Sequence, residues 1–439
     1  MSLLQNAVSV LLVSAVGVPA GIVTSILLAR YLSVADRGSY SVAITFLGLV
    51  TLFSQLGWSS ASIYRLRRVR SEPAQVATAA LVASAVCSLS AIGLCLLLRD
   101  WLWQRFFAGA PPEIFVLTLV IVPFQLVAIV FTGIARGIDR FRISNAHQMF
   151  VNLGSLVALI LVLVVYEGNV TDVLIASLAV QVVAALGLLV AVVRHTGIST
   201  RIQMSEIRPS LVFGLKSYVQ SLAGQLHERI DVFMIAYFLA DPTQVAFYAV
   251  AAGVIRLLKL VPEAVGKALF PRLAEADAAD SGILAARVLR HSTLWVGVCV
   301  VGLGVLAPLL IPLLYGHEYE LSIPPFLLLL PGMALLSVYQ IMARYFVALG
   351  RQHVNIYTQL FSLFVNVSLN VVLIPRYGIV GAAAASLVSY GLEALLITIA
   401  FTSHSGRGLR ESFIFHADDI APYRRRLAPL LRRWGIAFP

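Results

Sequence analysis

Ionisable residues inside apolar stretches are where this sequence could do chemistry, and they cluster twice. His227, Glu228, Arg229 and Asp231 lie within the apolar run Leu211–Leu239. Arg256, Lys259, Glu263 and Lys267 recur at spacings of three, four and four within Val245–Phe270. On a helix these spacings put all four on one narrow stripe, opposite Val254, Leu257, Leu258, Val261 and Leu269. A cationic stripe in a water-filled cavity suits an anionic head group such as phosphate or pyrophosphate. The competing reading is a cytoplasmic amphipathic extension of a helix that leaves the membrane near Val254. That would leave about eleven residues after Val245, too few to span. In the first cluster Glu228 and Asp231 share a helical face, as do His227 and Asp231. Arg229 points away from Asp231 and needs a partner on another helix or a ligand. The expected substrate contacts are therefore Arg229, Arg256, Lys259 and Lys267. Glu228, Asp231, Glu263 and Glu393, the last in the final apolar run, are expected as coupling or structural charges. A central charge costs at least about 2.5–3.5 kcal/mol on insertion scales, so each must face water or find a partner.

Other residues point to motion and packing. Gly17, Pro19 and Gly21 interrupt the first apolar run. Proline removes a backbone donor, so Pro19 and Gly21 form a candidate hinge, with a static kink as the alternative. Asn366 and Asn370 are expected as interhelical hydrogen-bonding groups. Cys87, Cys95 and Cys299 all fall in apolar stretches without disulfide or metal spacing. No paired carboxylates, metal cluster or nucleophile constellation stands outside the apolar runs. The sequence thus predicts no enzyme, no metal and no cofactor, and no nucleic-acid partner.

The elements that must hold these residues are membrane helices. Charged residues make up 12% of the 439 and hydrophobic residues 59%, against about 25% charged in a soluble chain. Mean hydropathy is +0.90. The apolar runs are about 20 residues long, enough to cross a hydrocarbon core of about 30 Å. Twelve spans are predicted: Ala7–Ala29, Ser39–Tyr64, Gln75–Leu98, Ile114–Ala135, Met149–Tyr166, Val173–Val193, Leu211–Leu239, Val245–Phe270, Ser292–Tyr315, Pro324–Met342, Asn355–Pro375 and Val380–Ser403. The first 29 residues carry no Lys or Arg, so the first run is read as a helix and not as a signal peptide. The fold class is all-α: a polytopic membrane protein of twelve helices in two six-helix lobes. Residues 1–195 form the first lobe, 196–210 a cytoplasmic linker, 211–403 the second lobe and 404–439 a basic cytoplasmic tail. A parallel internal repeat supports the halves: Tyr40, Val42 and Ala43 align with Tyr248, Val250 and Ala251. With both termini cytoplasmic, 23 of the 32 basic residues fall in inner segments and five in outer ones, as the positive-inside rule requires. Arg65, Arg67, Arg68 and Arg70 head the inner set. Arg30, Arg37, Arg99, Arg105 and Arg376 are the outer set.

Several blocks carry a family resemblance. LLARYLSVADRGSYSVA (Leu27–Ala43), RIDVFMIAYFL (Arg229–Leu239), ALFPRLAE (Ala268–Glu275), VALGR (Val347–Arg351) and LNVVLIPRYGIVGAAAAS (Leu369–Ser386) resemble blocks of the polysaccharide-transport flippases, in the same order. The chain thus resembles a Wzx-like flippase of the MOP superfamily. The resemblance implies two six-helix lobes in a MATE-like V, a central cavity and alternating access. It implies an undecaprenyl-pyrophosphate-linked oligosaccharide as cargo, carried across the bacterial inner membrane for export of O-antigen, capsule or exopolysaccharide. Membrane lipids, a polymerase and chain-length proteins of the same pathway are the implied partners. Arg229, in the Arg-x-Asp block, would take a cationic cavity role. Glycan contacts would come from side chains such as Gln55, Tyr218, Gln225 and Tyr339. Two competing functions remain: a cation-coupled drug exporter of the same fold, and a membrane polymerase or glycosyltransferase. The short outer loops, the longest near Arg99–Glu113, disfavour the polymerase.

Overall fold

A backbone in hydrocarbon must satisfy its own hydrogen bonds, and a single segment can do so only as a helix. The computed structural model describes residues 3–199, 212, 214, 215, 218, 222–275, 277–415 and 419. Every described regular element is helical. Seven described helices are long and apolar enough to cross a membrane, or eight if one bent pair is a single span. One of the seven, Gln352–Ser405, is 54 residues long and leaves helical geometry at Gly378 (φ 58°, ψ −139°). Ser362 Oγ donates to the Ser389 carbonyl at 2.7 Å across 27 residues. A straight helix would hold those residues about 40 Å apart. The two arms therefore run side by side, as expected of Asn355–Pro375 and Val380–Ser403. A Cβ on Gly381 would lie 2.3 Å from the Leu373 carbonyl oxygen, so only glycine allows the arms to approach so closely there.

Three expected spans are broken where continuous helices were predicted. Ser39–Tyr64 is Val34–Ser54 and Trp58–Tyr64, the latter running into a π-helix Arg65–Val69, with a 45° bend between the arms. Leu56 and Gly57 take positive φ at the bend, and a Cβ on Gly57 would meet the Gly214 carbonyl at 2.2 Å. Leu211–Leu239 is interrupted at Glu228–Arg229 before the helix Ile230–Leu239. Val245–Phe270 is divided into Pro242–Ile255, a 3₁₀ turn Arg256–Lys259 and Leu260–Glu275. Pro262 accounts for the last break: it has no N–H for the Leu258 carbonyl, and its ring crowds that turn. The described pieces Ala15–Tyr31, Ile230–Leu239 and Pro242–Ile255 are below spanning length and the hairpin Gln352–Ser405 counts once for two expected spans, which is why the described helices number fewer spans than twelve. The first run forms Leu3–Tyr31 with Pro19 inside it, and a Cβ on Gly21 would meet nothing within 4 Å. Most of the expected linker 196–210 and of the tail beyond Phe415 lies outside the described residues.

The chain divides into two compact units. The first comprises Met1–Gly253, Leu309–Pro325 and Val367–Ala382. The second comprises Val254–Pro308, Phe326–Asn366 and Ala383–Pro439. The first packs Trp58, Phe131, Ile134, Leu188 and Val192 into its main cluster. The second packs Leu269, Leu289, Tyr345, Phe346 and Phe401. Large apolar side chains such as Val301, Val305 and Leu309 stay exposed, as they must where the surrounding solvent is lipid.

Candidate functional site

The break at Glu228–Arg229 defines the site in the first unit. The Arg229 N–H bonds to the Leu226 carbonyl, three residues back, and Arg229 then caps Ile230–Leu239. Glu228 and Arg229 are exposed, whereas His227 and Asp231 are buried. Asp231 lies in the first turn of its helix, where the partial positive charge of the terminus favours an anion. Tyr248 Oη donates to Asp231 Oδ2 at 2.9 Å. Asn370 Nδ2 donates to Asp231 Oδ1 at 2.7 Å. Tyr248 is 2% exposed and Asn370 fully buried, so the carboxylate is clamped by two donors from two other helices.

Arg229 lies across a neighbouring helix. A Cβ on Gly48 would sit 1.9 Å from Arg229 Nη1 and 3.0 Å from its Cζ. The guanidinium therefore rests on the bare backbone of Val34–Ser54, and the residue is exposed.

The second unit holds the stripe. Arg256 is exposed and Lys259 half-buried. Lys259 Nζ stands 3.9 Å from Glu263 Oε1, a long ion pair at a partly exposed site, which contributes little to stability. Lys267 is on the same helix Leu260–Glu275, and its side chain lies outside the described residues. The 3₁₀ turn alters the straight-helix register expected for Arg256. Lys259 and Glu263 are brought together, and Arg256 precedes them on the tightened turn. Arg344, assigned from sequence to an inner segment, has its Cγ and Nε 3.3 Å from where a Gly266 Cβ would be. Glu393 is 1% exposed on the second arm of the long hairpin. Asn366 Nδ2 lies 3.3 Å from Ser389 Oγ, the interhelical bonding expected of it.

Two residues expected as glycan contacts make hydrogen bonds within the protein. The Tyr218 hydroxyl donates to the Leu52 carbonyl and is buried. The Tyr339 hydroxyl faces the Asn355 carbonyl at 3.5 Å, also buried. Sequence reading missed Gly48 and Gly266, the two glycines beneath arginines. Their only signal was a small residue in an apolar helix. Among the described residues no group of three His, Cys, Asp or Glu side chains is placed to hold a metal ion.

Residues 3–277 match the family model described as polysaccharide biosynthesis protein. The chain belongs to that family. The family is one of Wzx-like membrane transporters rather than enzymes. A protein of Haloferax volcanii named "Probable low-salt glycan biosynthesis flippase" is 27% identical over 184 residues, 41% of this chain and 39% of that one. A Shigella flexneri protein named "Putative O-antigen transporter" is 26% identical over 194 residues, 43% of this chain and 46% of that one. The matched region thus spans less than half the length of either relative. Among solved structures, the lipid II flippase MurJ in an inward closed conformation superposes with TM-score 0.75 at 13% identity, covering 99% of this chain and 94% of that one. An inward-facing multidrug MATE transporter of the MOP superfamily gives TM-score 0.69 at 16% identity, covering 88% and 94%. At these identities the two structures establish the fold alone, and the chain has the MOP fold.

Proposed function

We propose that this transporter flips an undecaprenyl-pyrophosphate-linked oligosaccharide across the inner membrane by alternating access, supplying surface-polysaccharide export. Twelve helices form the two six-helix lobes of the reading, residues 1–195 and 211–403, with both termini cytoplasmic. The observation that carries it is Arg229, an exposed guanidinium at a break in an apolar helix, resting on Gly48. A charge there is costly unless it meets water or an anion. A fork of donors on a planar cation matches a phosphate oxygen pair. In the second unit Arg256, Lys259 and Lys267 are the cations suited to an anionic group of the cargo. Glu228, Asp231, Glu263 and Glu393 are structural or coupling charges, and Pro19 with Gly21 lets the first helix bend between states. A polymerase and chain-length proteins would receive the cargo.

The test is export in a strain lacking its own flippase, at matched protein abundance. Arg229→Ala, and the double variant Arg256→Ala, Lys259→Ala, should each lower glycan export about ten- to hundredfold, the loss of one charge-assisted hydrogen bond. Arg256→Lys should retain part of it, because charge survives without the fork. Normal export by both alanine variants would sink the head-group assignment. Efflux of cationic dyes without glycan export would move the reading to a drug exporter.

A further inference from the structure

Two arginines of the first unit close on one helix end in a way that the cargo site does not use. Arg30, the last basic residue of Leu3–Tyr31, reaches the C-terminus of Ala278–Tyr315. Its Nε donates to the Leu314 carbonyl at 3.0 Å, and its Nη2 to the carbonyls of Leu313 and, at 3.4 Å, Pro312. These are the orphan acceptors of a helix end, which carries partial negative charge. Gly316 follows at φ 108° and turns the chain away at once. Arg37 is the second contact. It is 3% exposed, with its guanidinium carbon 5.2 Å from the Tyr315 ring centroid and 5.1 Å from that of Tyr319. Its Nη2 donates to Ser25 Oγ at 3.0 Å.

We infer that Arg30 and Arg37 form a releasable latch holding the Leu3–Tyr31 and Val34–Ser54 helices against the segment Pro312–Tyr319. The argument is chemical. Among the described residues no carboxylate pairs with either arginine, so the buried Arg37 charge is offset by two aromatic faces and one hydroxyl. Such cation–π contacts offset only part of the cost of a desolvated charge. The Tyr319 hydroxyl is a further polar neighbour of the Arg37 guanidinium, and water can replace it on opening. The Arg30 contacts are equally replaceable, since water can solvate the guanidinium and the helix-end carbonyls alike. Every bond of this closure is one that solvent can substitute, which is what a two-state element needs. The apolar clusters of the same unit have no such substitute. On the orientation proposed above, this latch lies on the outer side of the membrane.

The latch is tested on the full chain in lipid nanodiscs, with Cys87, Cys95 and Cys299 replaced by Ala. Spin labels go on Tyr31→Cys and Leu321→Cys, both at least half exposed, and the inter-label distance is measured by pulsed electron paramagnetic resonance. Arg30→Gln and Arg37→Gln should each raise the longer-distance population about fivefold, the factor for one net hydrogen bond. Tyr315→Leu should do the same, and Tyr315→Phe should not, because the ring face remains. An unchanged distribution in Arg30→Gln, whose side chain is exposed and whose fold is not at risk, overturns the latch. The readout needs no cargo, so a change in distance together with failed glycan export would retain the latch and reject the proposed cargo.

Discussion

Asp231 illustrates how a buried anion is held by donors from two other helices. It accepts from Tyr248 and Asn370, so removing it strands two buried donors. Asp231→Ala should destabilise the chain by about 2–4 kcal/mol, the sum of two unsatisfied groups. Asp231→Asn should cost far less, because an amide oxygen can accept from one partner while its NH₂ donates to the Tyr248 hydroxyl. Thermal melting of the purified chain in detergent separates the two; equal melting temperatures for both variants would contradict the clamp. At this scale the sequence was partly legible. The scarcity of charge made every ionisable residue in an apolar run conspicuous, and Asn370 was readable as an interhelical donor. Its acceptor was not, because 139 residues separate the pair and no local period links them. Arg30 and Arg37 were legible only as outer basic residues, since a carbonyl partner leaves no mark in the side-chain sequence.

The Val34–Ser54 helix carries two glycines with opposite consequences. A Cβ on Gly38 would lie 1.7 Å from the Pro242 carbonyl oxygen, which is backbone and cannot move alone. A Cβ on Gly48 would meet the far end of the Arg229 side chain, which can swing away. Gly38→Ala should therefore lower the melting temperature, with an overpacking cost of about 1–3 kcal/mol. Gly48→Ala should leave stability nearly unchanged but displace the guanidinium and reduce export. Paired melting and export measurements check this; the reverse pattern would refute the placement of Arg229 over Gly48. The elements themselves were legible from hydrophobic length alone, because membrane spans announce themselves by composition. The breaks were less so. Pro262 did not enter the sequence reading of Val245–Phe270, and its tightened turn falls on the preceding residues Arg256–Lys259. The Glu228–Arg229 break has no proline or glycine at its centre, and its only signal was charge where charge is costly.

Over the whole molecule the basic residues still have to be reconciled with the direction of transport. Arg65, Arg67, Arg68 and Arg70 crowd one connection, and Arg67 pairs with Asp139 and donates to the Arg136 carbonyl at 2.7 Å. Two basic connections are thereby joined on one side. The positive-inside rule assigns that side to the cytoplasm. The local evidence from the first helix runs the other way, since Arg30 and Arg37 follow it with no basic residue before it. On the latch inferred above, those two arginines would serve a closure at an outer position and not set the topology. Topology should then follow the sum of the inner charges. Position 70 and position 376 are both exposed, so each can report by labelling. In a chain stripped of its three native cysteines, Arg376→Cys should react with an impermeant maleimide in intact spheroplasts. Arg70→Cys should react only after permeabilisation. Labelling of position 70 in intact spheroplasts would invert the chain, turn the latch into an inner closure, and require the cargo to enter where the present orientation has it leave.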